Sequence, residues 1–209
     1  MTRRWLVAGL LVAGCRIEPT GSPSATADTL AASAPRRSDS VARVVQAPSE
    51  AGLVLPVVGV DPGELIDTFR DARSEGRVHD AIDIMAPRGT PVVAAAAGTV
   101  ARVFESERGG LTVYIVLADG RTVHYYAHLD AVAPGLSDGI AILQGGDVGT
   151  VGSTGNASPE APHLHFAIWT AARADAFWDG PAVNPYPLLT GRPADPPRVA
   201  PPDSTPARR

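Results

Sequence analysis

Four of the five histidines lie in short patterns that could support chemistry. His163-Leu164-His165 places two imidazoles two residues apart, and alternate side chains of a β-strand project from the same face. Neutral imidazole is the commonest metal ligand in proteins and also carries protons near neutral pH. On its own, this pair is equally consistent with two metal-binding or catalytic histidines and with two solvated surface histidines.

His79 and Asp83 form a second pattern, a histidine and a carboxylate four residues apart. Pro87 and the alternating Ile82 and Ile84 argue against a helix here. A fully extended strand would separate the two Cα atoms by ~13 Å, whereas zinc bonds of ~2.0–2.2 Å need the donor atoms close together. Two interpretations stay open. Either the chain bends so that both residues bind one metal, or His79 is an exposed histidine and Asp83 is a loop aspartate.

His128 and His124 occupy a third segment, in which Tyr126-Ala127-His128-Leu129 ends a strand-like run. A lone histidine is more often structural than catalytic, so His128 carries little information without a partner. His124 falls on the same predicted strand face as Tyr126 and His128. It has no motif of its own, and we interpret it as a structural residue or a support for a ligand.

The elements that must position these residues are mainly β-strands. Residues 111–118 and 121–128 are strand-like runs separated by Asp119-Gly120, a dipeptide that predicts a hairpin with a type I′ turn. Further strands are predicted within residues 90–103, broken at Gly98, and at residues 147–151 and 163–170. Residues 62–73 show weak helical spacing and predict one or two turns of helix.

The N-terminus reads as a secretion signal, because Arg3-Arg4 precede a short apolar run that is too short to span a bilayer of ~30 Å. The run ends at Gly14-Cys15, which resembles the bacterial lipobox, so Cys15 is the expected lipidation site. The alternative is an accidental or buried free cysteine. Arg16 follows Cys15 in place of Asp, which favours an outer-membrane location if the cell is Gram-negative.

Composition sets the organisation of the remaining chain. Its 209 residues, of which 44% are hydrophobic, suffice for one domain with tails. The chain has 20 Pro and 21 Gly, a net charge of -4 and no Lys, and it shows no basic stripe that would suit a nucleic acid. We predict a signal peptide at 1–15, a disordered tether at 16–50, the domain at 51–190 and a disordered Pro-rich tail at 191–209.

Taken together and in order, the three histidine segments resemble the lysostaphin-like zinc endopeptidases, the LytM family. The resemblance covers most of residues 53–189. It extends to Ala86-Pro87-Arg88-Gly89-Thr90-Pro91-Val92, to Gly146-Asp147, to the segment 151–156 and to Val183-Asn184-Pro185. One departure is Ala81, where many members of the family carry Gly.

This resemblance implies an all-β, mainly antiparallel fold with a smaller second sheet and a narrow groove over a zinc ion. The implied zinc ligands are His79, Asp83 and His165, and the implied catalytic pair is His128 and His163. Candidate substrate contacts are the three polar residues Tyr126, Ser153 and Asn156.

The implied function is hydrolysis of peptide cross-links or cross-bridges of peptidoglycan, in the cell envelope and from a membrane-anchored position. Three protein ligands with an open fourth position are typical of catalytic zinc. No HExxH motif supplies a Glu base, so one of the two catalytic histidines is expected to accept the proton of the attacking water. Two alternatives remain: a non-catalytic activator of a cell-wall amidase, and a lipid-anchored module that binds wall fragments or metal.

Overall fold

A computed structural model describes residues 52–73, 76–171 and 176–196. The predicted signal peptide, Cys15 and the predicted tether lie outside the described residues, as does the tail beyond residue 196. No helix within the described residues is long and apolar enough to cross a membrane.

The regular secondary structure of the described residues is almost wholly β-strand, which confirms the predicted fold class. A 3₁₀ helix at Pro62–Glu64 precedes the strands, and α1 at Pro185–Thr190 follows them. The strands are β1 Ile82–Met85, β2 Pro91–Val93, β3 Gly98–Ser106, β4 Gly110–Leu117, β5 Thr122–Val132, β6 Ala141–Ile142, β7 Asp147–Val151, β8 His163–Thr170 and β9 Ala182–Val183.

These strands form one antiparallel sheet with the order β1-β8-β5-β4-β3-β6. Strand β9 adds to β8, and β2 pairs with β7, which in turn pairs with β5. The β2–β7 pair is thus a small branch of this one sheet, in place of the separate smaller sheet that the resemblance implies. Because β8 lies between β1 and β5, the three predicted histidine segments are brought to neighbouring positions.

The main face of this sheet packs on an apolar core. In β8, burial alternates: Leu164 and Phe166 are fully buried while His163 and His165 are partly exposed. That is the pattern expected for a strand with one face against a core. The core also contains Ile82, Ile84, Val113, Ile115, Tyr126 and Leu129.

The predicted hairpin between β4 and β5 is confirmed, but its predicted turn type is wrong. A type I′ turn needs positive φ at both central residues, and of the two only Gly120 has it, with φ 68°. The amide of Gly120 donates to Leu117 O at 2.9 Å. Asp119 instead uses its carboxylate to accept from the amides of Arg121 and Thr122 at 2.9 and 2.8 Å, which favours a longer loop.

The ends of the domain are fixed by short local structures. The weak helical spacing in residues 62–73 produces one 3₁₀ turn, capped at its start by Asp61. At the other end, Arg192 donates to Leu65 O at 3.1 Å and the amide of Asp195 donates to Asp67 Oδ2 at 2.9 Å. The ordered domain therefore extends past the boundary predicted at residue 190.

Candidate metal centre

The register between β1 and β8 places Asp83 directly opposite His165. Side chains at directly opposed positions of an antiparallel pair are close enough to interact, and Asp83 Oδ1 lies 3.1 Å from His165 Nδ1. His163 is two residues earlier on the same face of β8, and its Nε2 lies 3.7 Å from Asp83 Oδ1. Both histidines line the groove, as their spacing predicts.

His79 reaches the same point because the chain bends at Ala81, immediately before β1. This confirms the bend that the His79–Asp83 spacing requires. His79 Nε2 lies 3.0 Å from Asp83 Oδ1 and 3.0 Å from His165 Nδ1. The amide of His79 donates to Asp71 O at 3.1 Å, so backbone contacts fix the segment that carries this imidazole.

The three donor atoms form a nearly equilateral triangle with edges of 3.0–3.1 Å. Four-coordinate zinc with bonds of ~2.0–2.1 Å has ligand atoms ~3.3 Å apart, so the triangle is close to one face of a zinc tetrahedron. Two imidazoles and one carboxylate are also a donor set that zinc uses. The residues present therefore fit a zinc ion.

Thr68 orients two of these ligands, although no sequence pattern singled it out. Its carbonyl lies 2.9 Å from His79 Nδ1, and its hydroxyl accepts from the amide of Asp83 at 3.0 Å. A carbonyl partner makes Nδ1 the protonated nitrogen, which leaves the lone pair of His79 Nε2 facing the other donors. A backbone carbonyl on the distal nitrogen is the usual support of a metal-bound histidine.

The surroundings of Asp83 and His165 shift both pKa values towards the protonation states that bind a metal. Burial by itself raises the pKa of Asp83, but hydrogen bonds and charge interactions with His165 and His79 outweigh burial, and the pKa falls well below its usual range. Burial lowers the pKa of His165, an effect only partly offset by Asp83. A carboxylate and neutral imidazoles are the forms that metal binding requires.

A β-bulge turns His128 into the groove. Leu111 pairs with Leu129 and Val113 pairs with Tyr126, so a separation of two residues on β4 faces a separation of three residues on β5. His128 takes up the extra residue with φ 60°, a left-handed conformation that is uncommon outside glycine. The prediction that His128 shares a strand face with Tyr126 is therefore wrong, since strict alternation would have pointed this imidazole at the core.

His128 and His163 lie side by side next to the donor triangle. Their ring centroids are 4.9 Å apart, and the His128 ring lies 5.6 Å from that of His165. Each Nδ1 contacts a backbone carbonyl at 2.8 Å, that of Thr154 for His128 and that of Ala161 for His163. A carbonyl partner makes Nδ1 the protonated nitrogen, so both rings carry the lone pair that can accept a proton on Nε2.

Burial lowers the pKa of His128 to about 4, a shift that is opposed by its hydrogen bond to Thr154 and reinforced by the neighbouring histidines. At neutral pH this imidazole is uncharged. An uncharged imidazole can accept a proton from water, which is the property that a general base needs.

The model of peptidase family M23 matches residues 77–185, just over half of the chain, and this span includes all three donors and both neighbouring histidines. The chain belongs to peptidase family M23. The family match agrees with the resemblance drawn from the three histidine segments.

Two curated relatives are similar to the central part of the chain. The L-Ala–D-Glu endopeptidase of Bacillus subtilis is 35% identical over 129 residues, which cover 58% of this chain and 38% of that protein. The DD-carboxypeptidase/endopeptidase Mpg of Neisseria meningitidis is 36% identical over 111 residues, which cover 52% of this chain and 22% of that protein. The chain thus spans less than half the length of these relatives.

Among solved structures, the catalytic domain of lysostaphin from Staphylococcus simulans is 29% identical to this chain with a TM-score of 0.47. The match covers 55% of this chain and 81% of that one.

The groove of this M23 domain does not contain all of the predicted substrate contacts. Asn156 lines the groove, whereas Ser153 is not among its lining residues. Tyr126 is fully buried, and its hydroxyl accepts from the amide of Ala95 at 2.9 Å. The prediction for Tyr126 is therefore wrong, and its neighbour Tyr125 lines the groove instead.

His124 lies in the core, which agrees with the structural role among the two roles expected of it. It is 1% exposed and packs edge-on against Phe166, with ring centroids 5.4 Å apart. Its Nδ1 has no hydrogen-bond partner among the described residues. Burial lowers its pKa to about 4, so it stays neutral at physiological pH.

Sequence patterns missed Arg73, which lies in an irregular segment. Its Nη2 atom lies 2.5 Å from Asp83 Oδ2. No periodicity or motif would have pointed to it, because Arg73 and Asp83 are ten residues apart and meet only in the folded chain.

Proposed function

We propose that this protein is a zinc-dependent endopeptidase that hydrolyses peptide cross-links of peptidoglycan. One observation carries the proposal: His79, Asp83 and His165 present a triangle of donor atoms, with His128 and His163 beside it in an open groove. A metal site with two histidines beside it supports hydrolysis better than it supports metal storage or structural stability.

His79, Asp83 and His165 would hold the zinc through Nε2, Oδ1 and Nδ1. When bound, zinc supplies Lewis-acid chemistry: it polarises a scissile carbonyl and lowers the pKa of water towards ~7. Three protein donors leave a position open for this chemistry.

His128 and His163 would carry the protons. One Nε2 accepts the proton of the attacking water, while the other ring stabilises the developing oxyanion or protonates the leaving amine. The carbonyls of Thr154 and Ala161 hold both rings in the required tautomer, so neither ring needs to reorient during the reaction.

The substrate class follows from the family and from its relatives. The two curated relatives are named for cleavage at L-Ala–D-Glu and for DD-carboxypeptidase and endopeptidase activity. Both names describe peptides that contain D-amino acids, which are characteristic of stem peptides in peptidoglycan. We assign the same class of substrate to this chain.

The N-terminal sequence supports a place in the cell envelope. Cys15 would be lipidated, and residues 16–50 would tether the domain away from the membrane. Cys15→Ser should release the protein from the membrane fraction and abolish labelling by a fatty-acid analogue. Unchanged membrane association of that variant would contradict the anchor.

A digestion experiment tests the function. The purified protein is incubated with peptidoglycan sacculi, with and without a zinc chelator, and soluble products are identified by mass spectrometry. The His128→Ala variant is the matched control. Chelator-sensitive conversion of cross-linked to uncross-linked muropeptides supports the proposal, and the product masses identify the bond cut.

Other results of this experiment would support the alternatives. Amidase products that form only when a separate amidase is added would favour an activator. Zinc binding and retention on sacculi without any product would favour a binding module.

A further inference from the structure

We propose that Arg73 is a positioning residue for the metal centre, which holds Asp83 so that it binds zinc through a single oxygen. This inference rests on the proposed zinc site. It adds a residue outside the three donors and the two catalytic histidines, and it assigns the two oxygens of Asp83 different tasks.

The two carboxylate oxygens of Asp83 are divided between different partners. Oδ1 faces His79 Nε2 and His165 Nδ1 at 3.0 and 3.1 Å. Oδ2 accepts a hydrogen bond from Arg73 Nη2 at 2.5 Å. The carboxylate therefore offers one oxygen to the donor triangle while the guanidinium holds the other.

The fold brings Arg73 to this position by the same loop that carries His79. Ala72 and Val78 form an antiparallel bridge, and the amide of Arg73 donates to Arg77 O at 2.9 Å. His79 directly follows this bridge. Consequently one local structure sets the position of a metal donor and of the residue that orients a second donor.

The contact acts through geometry more than through its strength as an ion pair. The Arg73 side chain is 38% exposed, and exposed ion pairs contribute little to stability. The single hydrogen bond from Arg73 Nη2 nevertheless fixes the position of Asp83 Oδ2, and with it the rotation of the carboxylate. Loss of an outer partner of a metal ligand typically costs about 10–100-fold in metal affinity.

The number of Asp83 oxygens that bind a zinc ion would determine how many of its coordination positions stay open to a substrate. If Arg73 releases Oδ2, the carboxylate can rotate and offer both oxygens. The second oxygen would then compete for a position that the proposed reaction keeps open. Arg73 thus maintains both the affinity of the site and its vacant position.

Repulsion between the Arg73 guanidinium and a zinc ion would change the zinc affinity in the opposite direction, so a measurement of affinity separates the two effects. Arg73 is a cation near a cation-binding site, so if repulsion dominated, its removal would strengthen zinc binding. If orientation dominates, removal weakens it. The two effects are separated by direct measurement of metal affinity, with no need for turnover.

The test measures the zinc affinity of the full-length protein by competition with a chromogenic chelator. Arg73→Ala should bind zinc about 10–100-fold more weakly than wild type. Arg70→Ala is the charge-matched control, because Arg70 lines the same groove, and its affinity should stay within about fivefold, the size of exposed-charge effects. Arg73→Lys keeps the charge without the planar group and should bind zinc with an affinity between those of wild type and Arg73→Ala. If Arg73→Ala does not fold, the Lys variant provides the test.

Cobalt substitution gives a second readout. Four-coordinate cobalt absorbs more strongly in its visible d–d bands than five-coordinate cobalt, so these bands should weaken in Arg73→Ala if the second oxygen joins the metal. Unchanged or higher zinc affinity together with an unchanged cobalt spectrum would overturn this proposal alone. A wild-type protein that binds no zinc would overturn the proposed function as well.

Discussion

Asp83 and His165 are direct cross-strand partners on β1 and β8, with Oδ1 and Nδ1 3.1 Å apart. The register of one pair of strands therefore sets the distance between two of the three candidate zinc ligands. A shift of either strand by one residue would turn its side chain to the opposite face of the sheet. The rigid sheet thus prepares the centre before any metal binds.

The first prediction separates the two histidines of β8. His165→Ala should lose zinc affinity by more than the about 100-fold that loss of an outer partner costs, because it removes a donor. His163→Ala should retain the metal, since His163 lies outside the triangle. Zinc bound per protein after dialysis measures both, and equal zinc content in the two variants would contradict the assignment.

The second prediction concerns His128. His128→Ala should keep its zinc and lose turnover by about 10²–10⁴-fold, the usual contribution of a positioned acid or base. Product release from sacculi measures the turnover, and metal analysis of the same sample measures the zinc content. Normal turnover in the variant would remove His128 from the proposed mechanism.

The third prediction concerns Thr154, which anchors the loop beside His128. Its hydroxyl accepts from the amide of Leu111 and donates to Leu129 O, both at 2.9 Å, while its carbonyl contacts His128 Nδ1 at 2.8 Å. Thr154→Val leaves both hydroxyl partners unsatisfied, at a cost of about 1–3 kcal/mol in the free energy of unfolding.

Thr154→Val should also displace the carbonyl that orients His128, and misplacement of a catalytic group can reduce turnover by about 100-fold. Thr154→Ser keeps the hydroxyl and should restore most of the stability and turnover. Denaturant unfolding and sacculus digestion measure the two effects. A Ser variant as impaired as the Val variant would show that the hydroxyl is not the anchor.

The fourth prediction is a loss of stability in acid. The pKa of His124 is about 4 in the folded protein against a reference of 6.5, so the unfolded chain binds the proton more readily. This contribution to stability is complete above pH 6.5 and is lost as the pH falls towards 4. Between pH 7 and pH 4.5 the loss amounts to about 2–3 kcal/mol.

His124→Leu should reduce this acid sensitivity by a similar amount, because the replacement cannot be protonated. Urea unfolding of both proteins at pH 7 and pH 4.5 gives the comparison. His128 and His165, whose pKa values are also lowered, should maintain a residual slope. If the free energy of unfolding depends on pH identically in wild type and variant, His124 is not a source of the acid sensitivity.

The strand β8 and the β4–β5 hairpin could be predicted because both follow from the local pattern of apolar, polar and turn residues. Alternation put His163 and His165 on one face, and the metal-bond lengths required the bend that occurs at Ala81. The order of three weak motifs, rather than any one of them, indicated the family. These features depend on residues near one another in sequence or on a shared pattern.

Features that depend on long-range packing could not be predicted. Alternation fails at His128, because the bulge that reverses its direction is set by pairing with β4. Tyr126 was expected to contact the substrate, yet it lies in the core. Thr68 and Arg73 act on Asp83 only after the chain folds back, and neither residue type marks such a role.

Metal reconstitution tests the central claim most directly. Zinc is removed from the purified protein with a chelator and returned in measured portions, while release of uncross-linked muropeptides is followed. We predict that turnover disappears with the metal and rises linearly to a plateau at one zinc per chain. Turnover that survives complete removal of zinc, or full zinc occupancy without turnover, would contradict the account.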